Sequence, residues 1–253
     1  MYIKRLLYYC GIAVCTAGMI VCVTLLVRQY MSYRTSAEAY ALLSQKAITK
    51  PSTQSALEFE ENIEQAIPTV DFQALRAINQ DIVGWLYCAD TAISYPVVQS
   101  MDNEYYLNHL FDGTQNGAGC LFIDSQWDRT DDRNCVIYGH HMKDGTMFAS
   151  LEQYQSQEYF TAHPSFLWLT EDGIWVMDLF AAYFTKPESD AWRMFFASDQ
   201  DFEDWLQRIQ ERSCILGTAK PEADDQIMTL STCSYIEEDT RFVCHGVIHL
   251  LEK

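Results

Sequence analysis

One long apolar segment stands near the start of the chain. Residues 6–27 carry no charged side chain over 22 positions, and Lys4, Arg5 and Arg28 flank them. A helix of about 20 apolar residues crosses the hydrocarbon core of a bilayer, whereas a cleaved signal peptide usually has an apolar region of about 7 to 15. The pattern therefore predicts a transmembrane anchor over residues 6–27, preceded by a short cytoplasmic head at residues 1–5.

The pattern becomes polar after this anchor. Residues 36–45 are compatible with a continuing helix, and residues 46–56, which include Pro51 and several Ser and Thr, indicate a linker. We therefore predict a membrane-proximal helix and linker over residues 28–56. A folded domain is predicted to span residues 57–253.

Helical periodicity opens this domain, and strand periodicity fills most of the remainder. Two short helical patterns, at residues 57–67 and 71–79, are separated by Pro68. Eight runs rich in β-branched and aromatic residues follow, which predicts a closed or nearly closed β-barrel. The runs cover residues 84–87, 93–98, 119–124, 135–140, 166–170, 175–185, 226–233 and 241–250.

One long helix is predicted between the sixth and seventh of these runs, near residues 198–212. Ser198 with Asp201 indicates its N-terminal cap, and apolar residues recur from Phe202 to Ile209 with the spacing of one helical face. That face is predicted to pack on the core. The expected fold class is therefore α+β and mainly β, with one transmembrane helix before the barrel.

The charge of the chain restricts its partners and its orientation. The formal net charge is −18, and the part from Glu38 onward has 35 acidic and 13 basic residues, a net charge of −22. Such a balance argues against nucleic acid or anionic lipid as the main partner. The short basic head and the large acidic remainder predict a cytoplasmic N-terminus and an extracellular domain.

No metal or cofactor site is predicted. His245 and His249 lie on a predicted strand, where four residues span about 13 Å, so they are poorly placed to chelate one ion. His140 and His141 are adjacent and point to opposite faces of a strand. The acidic residues of the 124–132 segment lack the spacing of a calcium loop, and we interpret them as solvated.

Nine cysteines compete for the role of a nucleophile. Three lie in the anchor, while Cys88, Cys135 and Cys244 stand inside apolar runs that indicate buried core thiols. Cys233 differs because it ends a predicted strand after a polar Ser-Thr pair, and Arg241 opens the next strand. Since a thiolate beside a cation attacks carbonyl groups well, Cys233 is the predicted nucleophile.

A cysteine nucleophile also needs a proton acceptor. Residues 134–139 predict a buried strand that ends at His140, which makes this histidine the best candidate for the base. Neither a Gly-x-Ser-x-Gly elbow nor a Ser-x-x-Lys pair is present in the sequence to support serine chemistry.

These motifs resemble those of a known family. Tyr-Gly-His at residues 138–140, Thr-Leu-Ser-Thr-Cys at 229–233 and Arg241 resemble the His, Thr-Leu-x-Thr-Cys and Arg motifs of sortases, the cysteine transpeptidases of Gram-positive bacteria. The resemblance extends over roughly residues 57–253 and is strongest to class B sortases. Further class B similarity lies in Asp-Ile-Val-Gly-Trp-Leu at 81–86, Tyr-Pro-Val-Val-Gln at 95–99 and Asp-Asn-Glu-Tyr-Tyr-Leu at 102–107.

The resemblance implies an activity and a role for each residue. Cys233 would attack a threonine carbonyl in the C-terminal sorting signal of a secreted protein, form a thioester, and pass the protein to an amino group of peptidoglycan. His140 would protonate the leaving amine and deprotonate the acceptor, and Arg241 would hold the peptide carbonyl or the oxyanion. No cofactor is implied. The implied substrate groove contains Asn103, Leu107, Phe195, Ser231 and Thr232.

Two departures from the family pattern and two other functions stay open at this point. His141 stands where the class B pattern usually has Asn, and residues 234–236, after the nucleophile, are Ser-Tyr-Ile. Both departures bear on substrate recognition rather than on the reaction. The alternative functions are a pilin-polymerising sortase that uses a lysine acceptor, and an anchored barrel that only binds surface ligands.

Overall fold

The computed structural model describes five stretches of the chain: residues 2–49, 67–128, 130, 132–233 and 239–252. The first short helical pattern predicted in the domain lies, except for Ile67, outside the described residues. The 234–236 segment after the predicted nucleophile also lies outside them.

The N-terminal region forms one long helix followed by a small sheet. Helix α1 spans Tyr2–Ala47 and leads directly into β1 (Ile48–Thr49), which pairs antiparallel with β2 (Thr69–Val70). Helix α2 (Phe72–Ile78) follows, and the Asp71 side chain caps it by accepting a backbone hydrogen bond from its first turn. The second predicted short helix is therefore confirmed.

Eight strands close into a barrel, as the strand pattern predicted. They are β3 (Ile82–Tyr87), β4 (Ser94–Val98), β5 (Leu121–Ile123), β6 (Asn134–Gly139), β7 (Ser165–Thr170), β8 (Gly173–Thr185), β9 (Gln226–Cys233) and β10 (Arg241–Glu252). Around the barrel their order is β10-β8-β7-β3-β4-β5-β6-β9. Neighbours pair antiparallel except β4 with β5 and β6 with β9, which run parallel.

Two helices lie between barrel strands in the chain. The short helix α3 (Gln157–Ala162) precedes β7, and α4 (Asp199–Arg212) lies between β8 and β9, the sixth and seventh barrel strands, as predicted. The Ser198 hydroxyl caps α4 by accepting a hydrogen bond from the Asp201 amide. Its apolar face is buried, as expected, through Phe202, Trp205, Leu206 and Ile209.

The two faces of the barrel wall pack against different partners. On β9, Met228 and Leu230 belong to the main core inside the barrel. Ile227 on β9 and Val243 on β10 instead pack with the apolar face of α4 on the outside. Because side chains alternate along a strand, these contacts fix which residues of β9 and β10 face outward.

The main core also includes the last part of α1. The Tyr40 hydroxyl donates a 2.6 Å hydrogen bond to the carbonyl of Gly119, and its ring packs edge-on against Tyr95. The core thus reaches upstream of residue 57, the predicted start of the folded domain, because apolar side chains of the predicted helix and linker are buried. These side chains are Tyr40, Leu43, Ala47 and Ile48.

The first part of α1 has a different environment. Its large apolar side chains are exposed, including Ile20 and Leu26. Among the described residues, α1 is the one helix long and apolar enough to cross a membrane. This feature is compatible with a membrane anchor.

Candidate active site

Three neighbouring strands bring the predicted catalytic residues to one place. Strands β6 and β9 run parallel with Gly139 opposite Thr232, so His140 follows at the level of Cys233. Strands β9 and β10 run antiparallel with Cys233 opposite Arg241. Residues almost a hundred positions apart in the chain therefore lie side by side at one end of the barrel.

The nucleophile and the arginine share the outer face of the barrel. Ile227 packs outside the barrel. Cys233 lies an even number of positions further along β9, so its side chain faces the same side. Val243 likewise packs outside, and Arg241, two positions before it on β10, faces the same side. Cys233 is half-buried there.

His140 reaches the same face and has a defined orientation. The backbone of Gly139 packs inward against Leu121 and Phe148, so the next side chain points outward. His140 Nε2 lies 2.7 Å from the carbonyl oxygen of Leu107. Since a carbonyl only accepts, Nε2 carries the hydrogen, and a neutral ring presents its lone pair at Nδ1. The Nδ1 atom of His140 is therefore the ring nitrogen that this contact leaves available.

A glycine permits this close approach of the histidine to the backbone. Gly119 has a φ of +61°, and a Cβ atom there would lie 2.5 Å from the carbonyl oxygen of Tyr106 and 3.1 Å from His140 Cδ2. The carbonyl of the same glycine accepts the hydrogen bond from Tyr40 of α1. The end of α1 thus supports the loop that borders the predicted base.

Arg241 borders the nucleophile on the other side. It is half-buried, stands opposite Thr185 of β8, and donates from Nη1 to the Thr240 carbonyl at 3.2 Å. Guanidinium keeps its positive charge at all accessible pH values. A thiol between an imidazole and a guanidinium is an arrangement suited to acyl transfer, because it supplies a nucleophile, a proton acceptor and a cation for an oxyanion.

Comparison with known proteins identifies the family. The family model of the sortase domain matches residues 86–249. Sortase B of Listeria monocytogenes is 39% identical over 166 residues, which cover 64% of this chain and 67% of that protein. Sortase B of Staphylococcus aureus is 35% identical over 175 residues, covering 68% of this chain and 72% of that protein. The chain belongs to the sortase family, class B.

Solved structures agree with this assignment. The S. aureus sortase B–substrate complex superposes with a TM-score of 0.74 at 31% identity, covering 87% of this chain and 99% of that chain. A sortase B complexed with triglycine gives a TM-score of 0.73 at 30% identity, covering 86% and 99%. This sortase is therefore a cysteine transpeptidase with the expected closed barrel, and its family acts on sorting signals and amine acceptors.

Burial separates the other cysteines of this sortase from Cys233. Desolvation raises the pKa of the Cys88 and Cys244 thiols, and it raises that of Cys120 to about 12. Cys88, Cys135 and Cys244 are buried, which confirms their interpretation as core residues. A thiol whose anion is destabilised by burial is a poor nucleophile, so these residues do not compete with Cys233.

Two of the predicted substrate residues lie in the loop between β4 and β5. Asn103 donates to the Asp124 carboxylate at 3.0 Å and accepts from the Ser125 amide at 2.7 Å. Leu107 is half-buried, and its carbonyl orients His140. The structure therefore gives both residues a role in shaping the loop beside the base.

Asp124 corrects the interpretation of the 124–132 acidic segment as uniformly solvated. Its side chain is buried and accepts hydrogen bonds from Asn103 and from the Tyr138 hydroxyl, both at 3.0 Å. Burial and the adjacent carboxylate raise the pKa of Tyr138, so its hydroxyl stays protonated and donates. A short acidic run in a sequence does not reveal that one of its members turns inward.

The other predicted substrate residues divide between the two faces of β9. The Ser231 hydroxyl lies on the same face as Cys233 and accepts a 2.9 Å hydrogen bond from the indole of Trp192. Phe195, in the same segment before α4, is 68% exposed. Thr232 is buried, and alternation along β9 turns its side chain into the barrel interior, away from the thiol. Ser231 thus shares the face of the predicted nucleophile, and the Thr232 side chain does not.

Sequence reasoning missed Trp192, which lies beside this face because its turn is tied to α4. The carboxylate of Asp190 pairs with Arg208 at 3.1 Å and with Arg212 at 2.5 Å. The Trp205 indole donates to the Asp190 carbonyl at 2.8 Å. No local pattern in the sequence signals this placement of Trp192.

A buried polar network lies under α4. His245 Nδ1 contacts the Thr229 hydroxyl at 2.8 Å, and Thr229 donates to the side-chain carbonyl of Asn134 at 2.7 Å. His245 Nε2 lies 3.2 Å from the Tyr183 hydroxyl, whereas His249 is exposed beside a carboxylate. The two histidines therefore have separate environments on one strand, as expected. In the described stretches, no group of three or more His, Cys, Asp or Glu side chains is placed to hold a metal ion.

This network predicts a pH dependence of stability. Burial lowers the pKa of His245 to about 3, while the unfolded chain has an ordinary histidine pKa of about 6.5. As the pH falls below that value, the unfolded state binds a proton that the folded state does not, so stability is lost. Between about pH 7 and pH 5 the free energy of unfolding should fall by about 2 kcal/mol through this residue.

Urea unfolding of wild type and His245→Gln at these two pH values measures the effect. The variant should lack the pH dependence that His245 contributes. The difference in the free energy of unfolding between the two proteins should therefore shrink at the lower pH. His249→Gln, at an exposed position on the same strand, is the matched control and should behave like wild type. An identical pH response in wild type and His245→Gln would contradict the buried neutral state of His245.

Proposed function

We propose that this sortase cleaves the C-terminal sorting signal of secreted proteins after a threonine, with Cys233 as nucleophile, His140 as acid and base, and Arg241 as oxyanion ligand. The observation that carries the proposal is the convergence of these three residues at one end of β6, β9 and β10. The acyl group would then pass to an amino group of peptidoglycan.

The first step is formation of the acyl-enzyme. Cys233 Sγ, as the thiolate, attacks the threonine carbonyl, and the developing oxyanion faces the Arg241 guanidinium. The C–N bond then breaks, and His140 delivers a proton from Nδ1 to the leaving amine. The product is a thioester on Cys233, and the C-terminal tail leaves with a free amino group.

The second step releases the acyl group to an acceptor amine. The now neutral His140 takes a proton at Nδ1 from the incoming amine, which attacks the thioester carbonyl. The C–S bond breaks and restores the Cys233 thiolate beside the imidazolium. Protons and charges therefore return to their starting distribution after each turnover, and no cofactor enters either step.

The substrate would approach along the outer face that carries the thiol. Ser231, Phe195 and the indole of Trp192 border this face on the α4 side, and Leu107 borders it on the side of the base. The relative solved with a substrate shares this fold, which supports a peptide site in the same region. We assign Asn103 to the support of the Leu107 loop, because its side chain is engaged with Asp124 and Ser125.

Helix α1 would hold the enzyme in the membrane, with the head of the chain in the cytoplasm and the barrel outside. Support comes from the exposed apolar surface of the first part of α1 and from its length. The same helix ends in the core of the barrel, so the site would stand at a fixed distance from the bilayer. An extracellular site agrees with substrates that are secreted proteins.

The acceptor would be an amino-terminated peptide, as in a wall cross-bridge. A relative solved with triglycine supports this choice. The alternative acceptor is a lysine of a pilin, for which no contact in the described site is specific. Membership in a transpeptidase family argues against the third function, a barrel that only binds ligands.

Incubation of the full chain in detergent with a library of fluorogenic pentapeptides tests this proposal. Triglycine and a lysine-containing peptide are offered as competing acceptors, and mass spectrometry identifies the joined product. We expect cleavage after threonine and transfer to triglycine. Exclusive transfer to lysine would favour the pilin function, and hydrolysis alone with every amine tested would contradict the proposed acceptor chemistry.

A further inference from the structure

The histidine next to the predicted base contacts the nucleophile's own backbone. His141 Nδ1 lies 3.2 Å from the Cys233 carbonyl oxygen and 3.2 Å from Glu152 Oε1. Both partners are acceptors, so Nδ1 carries a hydrogen. The N–H has hydrogen-bond geometry toward the Cys233 carbonyl, and the Glu152 carboxylate approaches the same nitrogen.

The two adjacent histidines therefore serve different sides of the site. His140 turns toward the Leu107 carbonyl, and His141 turns toward the end of β9. A backbone bridge between His141 and Met147 closes the intervening turn, in which Gly145 has a φ of +85°. This turn holds His141 in place independently of the catalytic face.

Glu152 is held from the barrel side. It lies in a short 3₁₀ helix, Ala149–Gln155, in which Leu151 and Tyr154 are fully buried. The side chains of His141 and Glu152 are only 15% and 14% exposed. Among the hydrogen bonds of the described residues, Glu152 Oε1 accepts none, and a buried carboxylate without compensation is costly. The Nδ1–H of His141, 3.2 Å from this oxygen, supplies a positive dipole toward it.

We propose that His141 and Glu152 form a positioning pair that anchors the main chain of Cys233. The inference rests on the proposed role of Cys233 as nucleophile. The Cys233 carbonyl lies at the C-terminal end of β9. Anchoring it fixes the position of Sγ relative to His140 Nδ1 and Arg241, and misplacement of a reacting group by about 1 Å costs on the order of 100-fold in rate.

The chemistry of the pair predicts how substitutions behave. Asparagine at position 141 retains a neutral N–H donor of similar reach, so it can hold the Cys233 carbonyl without pairing with a carboxylate. Alanine retains neither function. Loss of the Glu152 charge should therefore matter only while position 141 is histidine, and the two positions should be energetically coupled.

Four variants of the full chain test the pair: His141→Ala, His141→Asn, Glu152→Gln, and the double variant His141→Asn with Glu152→Gln. Glu158→Gln is the matched control, because Glu158 is an exposed glutamate a few residues after Glu152. The measurements are kcat and KM for peptide cleavage, the rate of Cys233 alkylation by iodoacetamide, and Tm.

We expect His141→Ala to lower kcat by about 10- to 100-fold with KM within about twofold, and to slow alkylation of Cys233. His141→Asn should restore kcat to within about threefold of wild type. Glu152→Gln should lower kcat severalfold, but it should have no further effect in the His141→Asn background. The control should match wild type.

Wild-type kcat and alkylation in His141→Ala would overturn the inference. An equal loss of kcat in His141→Asn and His141→Ala would also overturn it. A loss of kcat that parallels a lowered Tm in either variant would overturn it as well, because destabilisation would then explain the loss. Alkylation is measured without substrate. If the proposed function fails, so that even wild type shows no Cys233-dependent turnover, the alkylation series still decides whether the pair positions the thiol.

Discussion

Replacement of Cys233 by alanine is expected to abolish both peptide cleavage and transfer, with kcat lower by at least about 10⁴-fold. The thiol is the only group on the outer face of β9 placed between His140 and Arg241 that can form an acyl bond, within the described residues. Without the thiol, His140 and Arg241 can still orient the substrate and stabilise charge, but they cannot form the covalent acyl-enzyme. Steady-state turnover of a cleaved pentapeptide measures the loss.

Two controls make this result specific. Cys214→Ala removes an exposed thiol whose pKa is raised by desolvation, so its activity should equal that of wild type. Mass spectrometry after mixing with substrate should detect a thioester on wild type and none on Cys233→Ala. Activity that survives in Cys233→Ala, or a thioester on another cysteine, would show that the nucleophile has been assigned wrongly.

A chain that begins at residue 57 should be severely destabilised relative to one that begins at Arg28. The shorter chain loses the part of α1 that packs on the barrel, together with the pairing of β1 with β2. Each large apolar side chain removed from the core costs about 1.5 to 3 kcal/mol. With Tyr40, Leu43 and Ile48 absent, the loss is about 5 kcal/mol, comparable to the whole stability of a typical domain.

Urea unfolding of the two chains measures this difference. The chain from Arg28 lacks only the exposed apolar part of α1, so it serves as the matched control and should unfold cooperatively. The shorter chain should also lose activity, because Tyr40 supports the Gly119 loop that borders His140. Equal unfolding midpoints for the two chains would show that α1 contributes nothing to the barrel.

Most of the fold could be predicted because strands and helices leave local patterns. The eight strand runs all form barrel strands, and the predicted cap Ser198 marks the start of α4. The contribution of residues before 57 to the core was not predicted. Proline, Ser and Thr after Lys46 resemble a linker locally, but burial of Leu43 and Ile48 depends on a surface that the barrel supplies from elsewhere in the chain.

The catalytic assignments depended on motifs, and their geometry depended on pairing between distant strands. Cys233, His140 and Arg241 could be named from the sequence, and the strand register then brings them together. The contacts of Trp192 with Ser231 and of Glu152 with His141 could not be named. Each of these contacts joins a short 3₁₀ turn to a residue on or next to a distant strand, and no sequence periodicity relates the two partners.

The sequence by itself determined the elements of this sortase, its candidate nucleophile, base and cation, and the apolar segment at its N-terminus. These follow from local chemistry: side-chain alternation, capping, and the reactivity of a thiol near a cation. The tertiary structure decided which face of the barrel carries the candidate site, which side chains turn inward, and which side chains contact the Cys233 backbone. Those features depend on strand register and on burial, which arise only when distant segments pack together.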